Sequence, residues 1–285
     1  MRRDDGRDAS YVSGGSSPDK RTKNDRHIDR GGGLVTLREA FIRSVSKMER
    51  ASLLSRTIAF LVLCVIYVAA ISSILRANFF YIDDIGRAFE GYDHWSNFSR
   101  FLSEGLSHLI HASDYLSDAS PLTQLIAVVL LVVASLLIIH EVRDGERVSV
   151  WDLIAVVPIG LSPYYLECLS YKYDAPYMAL SVLLSVLPLA ARRRSTLLYG
   201  SLVPICMIGM CTTYQASSGI FPMSVLLICL IDWSRGRKSA IESLKFVGFS
   251  AILYLVGVLV FSLFIMVPTG EGEYVSNSVM SNRLS

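Results

Sequence analysis

Long runs of apolar residues without charge alternate with short charged segments along most of this chain. Five runs contain no Asp, Glu, Lys or Arg: residues 57–75, 121–139, 175–191, 195–231 and 246–270. About 20 apolar residues suffice for a helix to cross a bilayer. Each run therefore predicts a membrane-spanning helix. The run 195–231 is long enough for two, with "TTYQASSG" as the turn between them.

A further span is predicted over residues 151–169, although Glu167 interrupts its apolar sequence. The prediction is then an all-α fold, a polytopic membrane bundle of about seven helices over residues 57–270. Composition supports this class, because only 18% of the residues are charged and the mean hydropathy is +0.44. A soluble domain usually carries about 25% charged residues.

The N-terminal region differs from the rest of the chain. Residues 1–33 are polar, charged and rich in Gly and Ser, which predicts a disordered tail. Residues 34–56 place apolar residues at helical spacing among basic ones. We interpret this segment as an amphipathic, basic juxtamembrane helix on the inner leaflet, or alternatively as a plain extension of the first span.

Basic residues are concentrated on one set of connecting segments. Of the 27 Lys and Arg residues, 22 fall in four segments, 1–56, 140–152, 192–194 and 232–245. The alternate segments 76–120, 167–174 and 271–285 hold the other 5. Positive charge favours the cytoplasmic side. This bias predicts a cytoplasmic N-terminus, a first external loop at 76–120 and an external C-terminal tail at 271–285.

The first external loop is itself amphipathic. Its large apolar residues recur at spacings of three and four, which predicts helices lying along the outer membrane interface. They are Phe89, Tyr92, Trp95, Phe98, Phe101, Leu102, Leu106, Leu109 and Ile110. His108 and His111 share one helical face with Glu104 and Asp114 nearby, which allows either a metal site or ordinary surface charges.

Paired carboxylates follow the first span directly, at Asp83 and Asp84 in "FYIDDIGR". Adjacent carboxylates near apolar surroundings titrate as a coupled pair, and they can supply a general base or bind a divalent cation. Arg87 lies three residues beyond Asp84, on the same side of a helical turn. The alternative interpretation is that Asp84 caps a helix and Arg87 pairs with it.

Two other polar segments are predicted at the outer face. "YYLECLSYKYDAPY", residues 164–177, combines acids, a cation and tyrosines, and "TTYQ" forms a turn. Charges at membrane depth are costly and suggest a function. The alternatives are an interfacial tyrosine belt and a plain hairpin turn. The candidate binding residues are Glu167, Tyr171, Lys172, Asp174, Tyr214 and Gln215.

Five stretches in chain order carry a resemblance to a known family. They are "FYIDDIGRAFEGYDHW", "SRFLSE", "SPLTQ", "SYKYDAPYMALS" and "TTYQAS". Together they resemble the type II serotype-converting O-antigen glucosyltransferases of bacteria and their phages, from about Thr57 to Ser218. The resemblance implies a GT-C-like architecture in the bacterial inner membrane with a periplasmic active face.

The family's reaction implies specific partners and roles. Glucose would pass from a polyprenyl-phosphate donor to lipid-linked O-antigen. Asp83 or Asp84 would be the base, and the choice between them is open. Arg87 and Lys172 would hold the donor phosphate. Sugars would be bound by the other candidates, with Glu167 and Asp174 orienting hydroxyls.

Other functions and partners follow from the same sequence. A divalent cation, Mg²⁺ or Mn²⁺, could bind the acidic pair, and the sequence indicates no other cofactor. Membrane lipid is an expected partner and nucleic acid is not. Because members of the family usually continue through further spans, the tail 271–285 is interpreted as the end of a truncated chain. The alternatives to a transferase are a flippase for lipid-linked sugars and an inactive membrane remnant.

Overall fold

The computed structural model describes Ser44, residues 53–143 and residues 147–267. The predicted tail 1–33, most of the predicted helix 34–56 and the tail 271–285 lie outside these residues. Within the end of the predicted helix, Leu53–Leu54 is a short strand, β1, that pairs antiparallel with β2 at Val148–Ser149. Ser55 caps the first long helix, whose first residue is Arg56.

The described chain is otherwise helical. Its α-helices are α1 (Arg56–Ala77), α2 (Asp84–Glu90), α3 (Phe101–His111), α4 (Leu122–Val142), α5 (Val150–Val156), α6 (Pro158–Leu161), α7 (Pro163–Ser170), α8 (Ala175–Val186), α9 (Thr196–Cys211), α10 (Ile220–Ser234) and α11 (Ala240–Val260). Short 3-10 helices cover Trp95–Phe98, Leu187–Ala191 and Gln215–Gly219, and a π-helix, Phe261–Ile265, extends α11.

Within these residues, four helical segments are long and apolar enough to cross a membrane. They are Arg56–Ala77, Leu122–Val142, Gln215–Ser234 and Ala240–Ile265. Two further apolar helices, Ala175–Ala191 and Thr196–Cys211, are shorter. The predicted all-α membrane fold is confirmed to this extent, while the count of seven spans stays a prediction. The predicted pair of helices in 195–231, with a turn between them, is confirmed.

The predicted span 151–169 is a broken helix. The segments Val150–Leu161 and Pro163–Ser170 meet at an angle of 53°. The break lies at Ser162, not at Glu167. Ser162 has an extended backbone and caps α7, and the proline that follows disfavours a helical conformation in the residue before it. If counted as one bent span, this segment brings the number of candidate spans among the described residues to five.

Helix α3 exposes part of its apolar surface, while Leu106 and Ile110 pack against a buried cluster that contains Trp95. Its small polar residues Ser103 and Ser107 are buried, whereas Phe101 and Leu109 are exposed. The buried face contacts the turn after α9, where the Leu102 amide donates to the Thr212 carbonyl at 3.1 Å and the Ser103 hydroxyl donates to Thr213 at 3.2 Å. The predicted helix is confirmed. Its exposed apolar face is what a helix in contact with lipid requires.

Helix connections gather at two ends of the bundle. The loop end comprises residues 78–121, the turn 171–174 and the turn 212–219. The basic end comprises the turns 192–195 and 235–239 together with the last residues of α4. An apolar core of residues from α1, α4, α8, α9 and α10 separates the two ends.

Candidate active site

Asp84 is fully buried at the start of α2 and fastens the turn 171–174 to the first loop. Its carboxylate accepts hydrogen bonds from the backbone amides of Lys172 at 2.8 Å and Tyr173 at 3.4 Å. Burial raises the pKa of Asp84 to about 6, although these hydrogen bonds and one from the Tyr81 amide oppose the shift. A carboxylate engaged in this way positions the loop and is out of reach of an incoming hydroxyl.

Arg87 also points into the protein, and its partner is Asp174. The two side chains form a buried ion pair. Asp174 also accepts a hydrogen bond from the Trp95 indole at 2.5 Å, and the Arg87 guanidinium lies 4.3 Å from the Trp95 ring centre. The predicted alternative in which Arg87 pairs with Asp84 is therefore wrong, because the side chains on this face of α2 point to different partners in the 171–174 turn.

Lys172 is held by three groups. Its ammonium donates to Asn78 and Asp118, both at 2.7 Å, and it lies 4.3 Å from the centre of the Phe80 ring. The side chain is 3% exposed. Like Arg87, it is a paired cation that ties the end of α1 to the turn before α8, and neither cation lines the adjacent cleft.

An open cleft of about 450 Å³ lies beside these buried pairs. Five of the predicted residues line it, namely Asp83, Glu167, Tyr171, Asp174 and Tyr214, and Arg100 adds a cation. Asp83 is exposed, in contrast to its neighbour Asp84. The cleft thus combines three carboxylates, of which Asp174 is already paired with Arg87, with a guanidinium and phenol rings at the loop end of the bundle.

The acidic wall of the cleft is organised by tyrosines. The Tyr81 hydroxyl donates to Glu167 at 3.0 Å, and the Tyr81 ring packs edge-on against Tyr171 at 4.9 Å. Burial, followed by the nearby Asp83 carboxylate, raises the pKa of Tyr171 to about 12. Tyr171 therefore keeps its proton and remains a hydrogen-bond donor at neutral pH.

Arg100 forms the opposite side of the cleft. Its guanidinium lies 3.6 Å from the Asp174 carboxylate and 5.0 Å from the centre of the Tyr214 ring. Tyr214 also lines the cleft, whereas the Gln215 amide donates to the Phe98 carbonyl at 3.2 Å and faces a neighbouring pocket. Arg100 is about one quarter exposed, so a ligand in the cleft can reach it.

The residues considered for a metal site in α3 do not converge. His108 contacts Asp93 and Asp114, whereas the ring of His111 stacks on Tyr173 at 5.9 Å. Glu104 accepts a hydrogen bond from the Ser96 amide. Across residues 53–143 and 147–267, no three His, Cys, Asp or Glu side chains form a group that could hold a metal ion.

Comparison with known sequences places this chain in a family. Residues 72–285 match the family described as Glucosyl transferase GtrII, which covers about three quarters of the chain. The chain belongs to the GtrII glucosyl transferase family. The match includes all the cleft residues named above, and it agrees with the resemblance carried by the motifs between Asp83 and Gln215.

One curated relative of this GtrII family member comes from Salmonella phage P22. It is described as an uncharacterized 55.3 kDa protein in the gtrB 5' region, and it is 28% identical over 216 residues. The alignment covers 75% of this chain and 43% of the phage protein. The chain therefore spans less than half the length of that relative. No solved structure matches the chain.

Three side chains that shape this cleft were not among the site residues predicted from the sequence. Arg100 lines the cleft, Trp95 binds Asp174, and Asp118 neutralises Lys172. Arg100 lies in "SRFLSE", one of the five stretches on which the resemblance depends. It is also one of only three Lys or Arg residues between positions 76 and 120. The scarcity of Lys and Arg in this segment was the available signal for Arg100.

Proposed function

We propose that this chain is a membrane hexosyltransferase acting at the loop-end cleft. The donor is a polyprenyl-phosphate-linked hexose, glucose by family membership, and the acceptor is a lipid-linked O-antigen or a related surface glycan. The observation that carries the proposal is the juxtaposition of exposed Asp83 with Arg100 in one cleft, beside Glu167 and Tyr171. A base and a phosphate-binding cation are the two groups that this transfer needs.

Each cleft residue has a role in a single displacement. Asp83 removes the proton from the acceptor hydroxyl, whose oxygen attacks the anomeric carbon of the donor sugar. The bond between that carbon and the phosphate oxygen breaks, and Arg100 stabilises the negative charge on the departing polyprenyl phosphate. Glu167 and Tyr171 hydrogen-bond the sugar hydroxyls. Asp84, Arg87, Lys172 and Asp174 hold the loop that presents Asp83.

We further propose that seven segments cross the inner membrane and that the cleft faces the periplasm. The two short helices support this count. Lys172, just before α8, pairs with Asp118 at the loop end. Arg192, a few residues after α8, pairs with Glu141 at the basic end. Helix α9 returns from Ser195 to Thr212, which contacts α3. The surplus of Lys and Arg at the basic end favours the cytoplasm for that side.

A reconstituted assay with radiolabelled polyprenyl-phosphate-glucose tests the proposal. The protein should consume donor and label the glycan acceptor, whereas a flippase would move intact donor and a remnant would do neither. Asp83→Asn should lower the rate by about 10²–10⁴-fold, the usual contribution of a general base. Asp114→Asn is the matched control, because Asp114 lies in the same loop and does not line the cleft. Equal rates in the two variants would refute the role of Asp83.

A further inference from the structure

A long apolar groove runs along the side of the bundle between α10 and the α5–α6 segment. Its volume is about 700 Å³, within the range of about 300–1,000 Å³ typical of ligand pockets. One wall is a stripe on α10 from Ile220 through Met223 and Leu227 to Ile231. At 1.5 Å per residue, that stripe extends for about 17 Å along the helix.

Small residues keep the groove open. Ala155 lies on the α5 wall, and Gly219 lies where α10 begins. A Cβ atom added at Gly219 would meet no atom within 4 Å. The α4 wall is formed by branched side chains, Ile138 and Ile139. The groove therefore offers one channel of apolar side chains along the face of the bundle.

The two ends of the groove differ. Towards the basic end it reaches Asp152, which forms an ion pair with Arg143 at 2.5 Å. Towards the loop end, Ala216 and Ile220 line both the groove and the polar cleft that contains Arg100. The groove and the cleft are therefore adjoining, and together they match a molecule with an anionic, hydroxylated head and a long apolar tail.

We infer that this groove holds the isoprenoid chain of the lipid-phosphate donor while its phosphosugar occupies the cleft. The inference rests on the proposed function and adds the path of the lipid. The groove adjoins one polar cleft through Ala216 and Ile220, an arrangement that matches a carrier in which one apolar chain is joined to one phosphosugar. Arg100 lies in the adjoining cleft, where it complements the phosphate that joins sugar and chain.

The physical basis of recognition is packing. Inside a bilayer, an apolar chain gains little by leaving lipid, so affinity for the groove depends on van der Waals fit. A bulky side chain in the groove should therefore weaken binding of a long donor and leave a short donor unaffected. A change in KM for the long donor without a change for the short donor is therefore the result that identifies this site.

The kinetic test uses two donors with the same phosphoglucose head, one on an eleven-isoprene chain and one on a two-isoprene chain. Met223→Trp and Ala155→Phe narrow the groove from its two walls. Each should raise KM for the long donor by about tenfold or more and change KM for the short donor less than twofold. Ile252→Trp is the matched control, because Ile252 is exposed on α11 and lines neither the groove nor the cleft. An equal effect on both donors, or none, would overturn the inference.

A second readout is independent of transfer. Polyprenyl phosphate with a diazirine in its chain should label peptides of α10 and α5 in the wild-type protein, and Met223→Trp should reduce that label. Unlabelled polyprenyl phosphate should compete, and phosphatidylglycerol should not. Labelling of α10 and α5 without glucose transfer would support the groove as a lipid-binding site and refute the proposed function. Glucose transfer could also occur while the label falls on other helices, is displaced by phosphatidylglycerol, or is absent. Each of these results would refute the groove as the lipid site and leave the proposed function standing.

Discussion

The basic end and the loop end of the bundle each contain a buried cluster of charges, and the clusters differ in their surroundings. At the basic end, Arg192 bridges Glu141 at 2.7 Å and Asp232 at 3.0 Å. All three side chains are at most 5% exposed. Each charge is paired within the protein, so this cluster joins α4, the turn 192–195 and α10 and offers a ligand no free group.

At the loop end, the buried Arg87–Asp174 pair borders the cleft. Here the same kind of internal pair adjoins Asp83, which is exposed, and Arg100, which is partly exposed. Buried charges therefore have two different surroundings in one bundle. Where every charge is buried and paired, the cluster stabilises the fold. Where buried pairs adjoin an open cleft, they fix the loops that carry the groups lining it.

The largest expected effect on stability is at the basic end. Arg192→Met would leave Glu141 and Asp232 buried without their main partner. Breaking a buried ion pair typically costs about 3–5 kcal/mol. We expect the lower part of that range, because Arg237 remains 3.3 Å from Asp232. Thermal unfolding in detergent should show the loss. The donor KM of the folded fraction should not change, and a raised KM would contradict the separation between the two ends.

A pH effect should distinguish Asp84 from its neighbour. The pKa of Asp84 is raised to about 6 in the folded protein from an ordinary value of 3.8. The folded state therefore holds this proton more tightly than the unfolded state, and stability falls as pH rises from about 4 through 6. A shift of about two pKa units corresponds to about 3 kcal/mol.

Thermal unfolding of the wild type and Asp84→Asn at pH 4 and pH 7 measures this contribution. The wild type should lose stability relative to the variant as pH rises. Asp83→Asn serves as the matched comparison, because Asp83 is exposed, and it should follow the wild-type curve. Parallel curves for wild type and Asp84→Asn would show that the buried carboxyl does not hold its proton.

Arg100 should give the smallest of these effects. A hydrogen bond to a charged group contributes about 1.5–3 kcal/mol, so Arg100→Gln should raise the donor KM by about ten- to a hundredfold. Stability should change little, because the side chain is partly exposed. Arg76→Gln is the control, since Arg76 is an exposed cation at the same end and lies outside the cleft. Equal donor KM values in the two variants would show that Arg100 does not bind the donor.

The uncharged runs predicted the main helices because their signal is local. A stretch of 37 uncharged residues with a polar turn, residues 195–231, leads to two helices without knowledge of any other segment. The break in 151–169 was less visible, since Glu167 was the charge that interrupted the apolar run. Ser162 and Pro163 determine the bend, because a serine cap followed by proline begins a new helix.

The site was harder to predict because its partners are distant in sequence. Asp83 and Asp84 are identical in the sequence pattern, yet adjacent helical residues point about 100° apart. Which one faces inward depends on the amides of Lys172 and Tyr173, 88 and 89 positions away. Likewise, the pairing of Arg87 with Asp174 spans 87 positions. The sequence identified the residue types, and the three-dimensional pairing separated the positioning residues from those in the cleft.

The orientation of the two ends provides the most direct test of the central claim that the cleft faces the periplasm. Asp114→Cys places a thiol at an exposed loop-end position, and Arg194→Cys places one in the basic-end turn. A membrane-impermeant maleimide on spheroplasts should label Asp114→Cys above the wild-type background. It should label Arg194→Cys only after the membrane is permeabilised. The reverse pattern would place the cleft in the cytosol and contradict the proposed reaction.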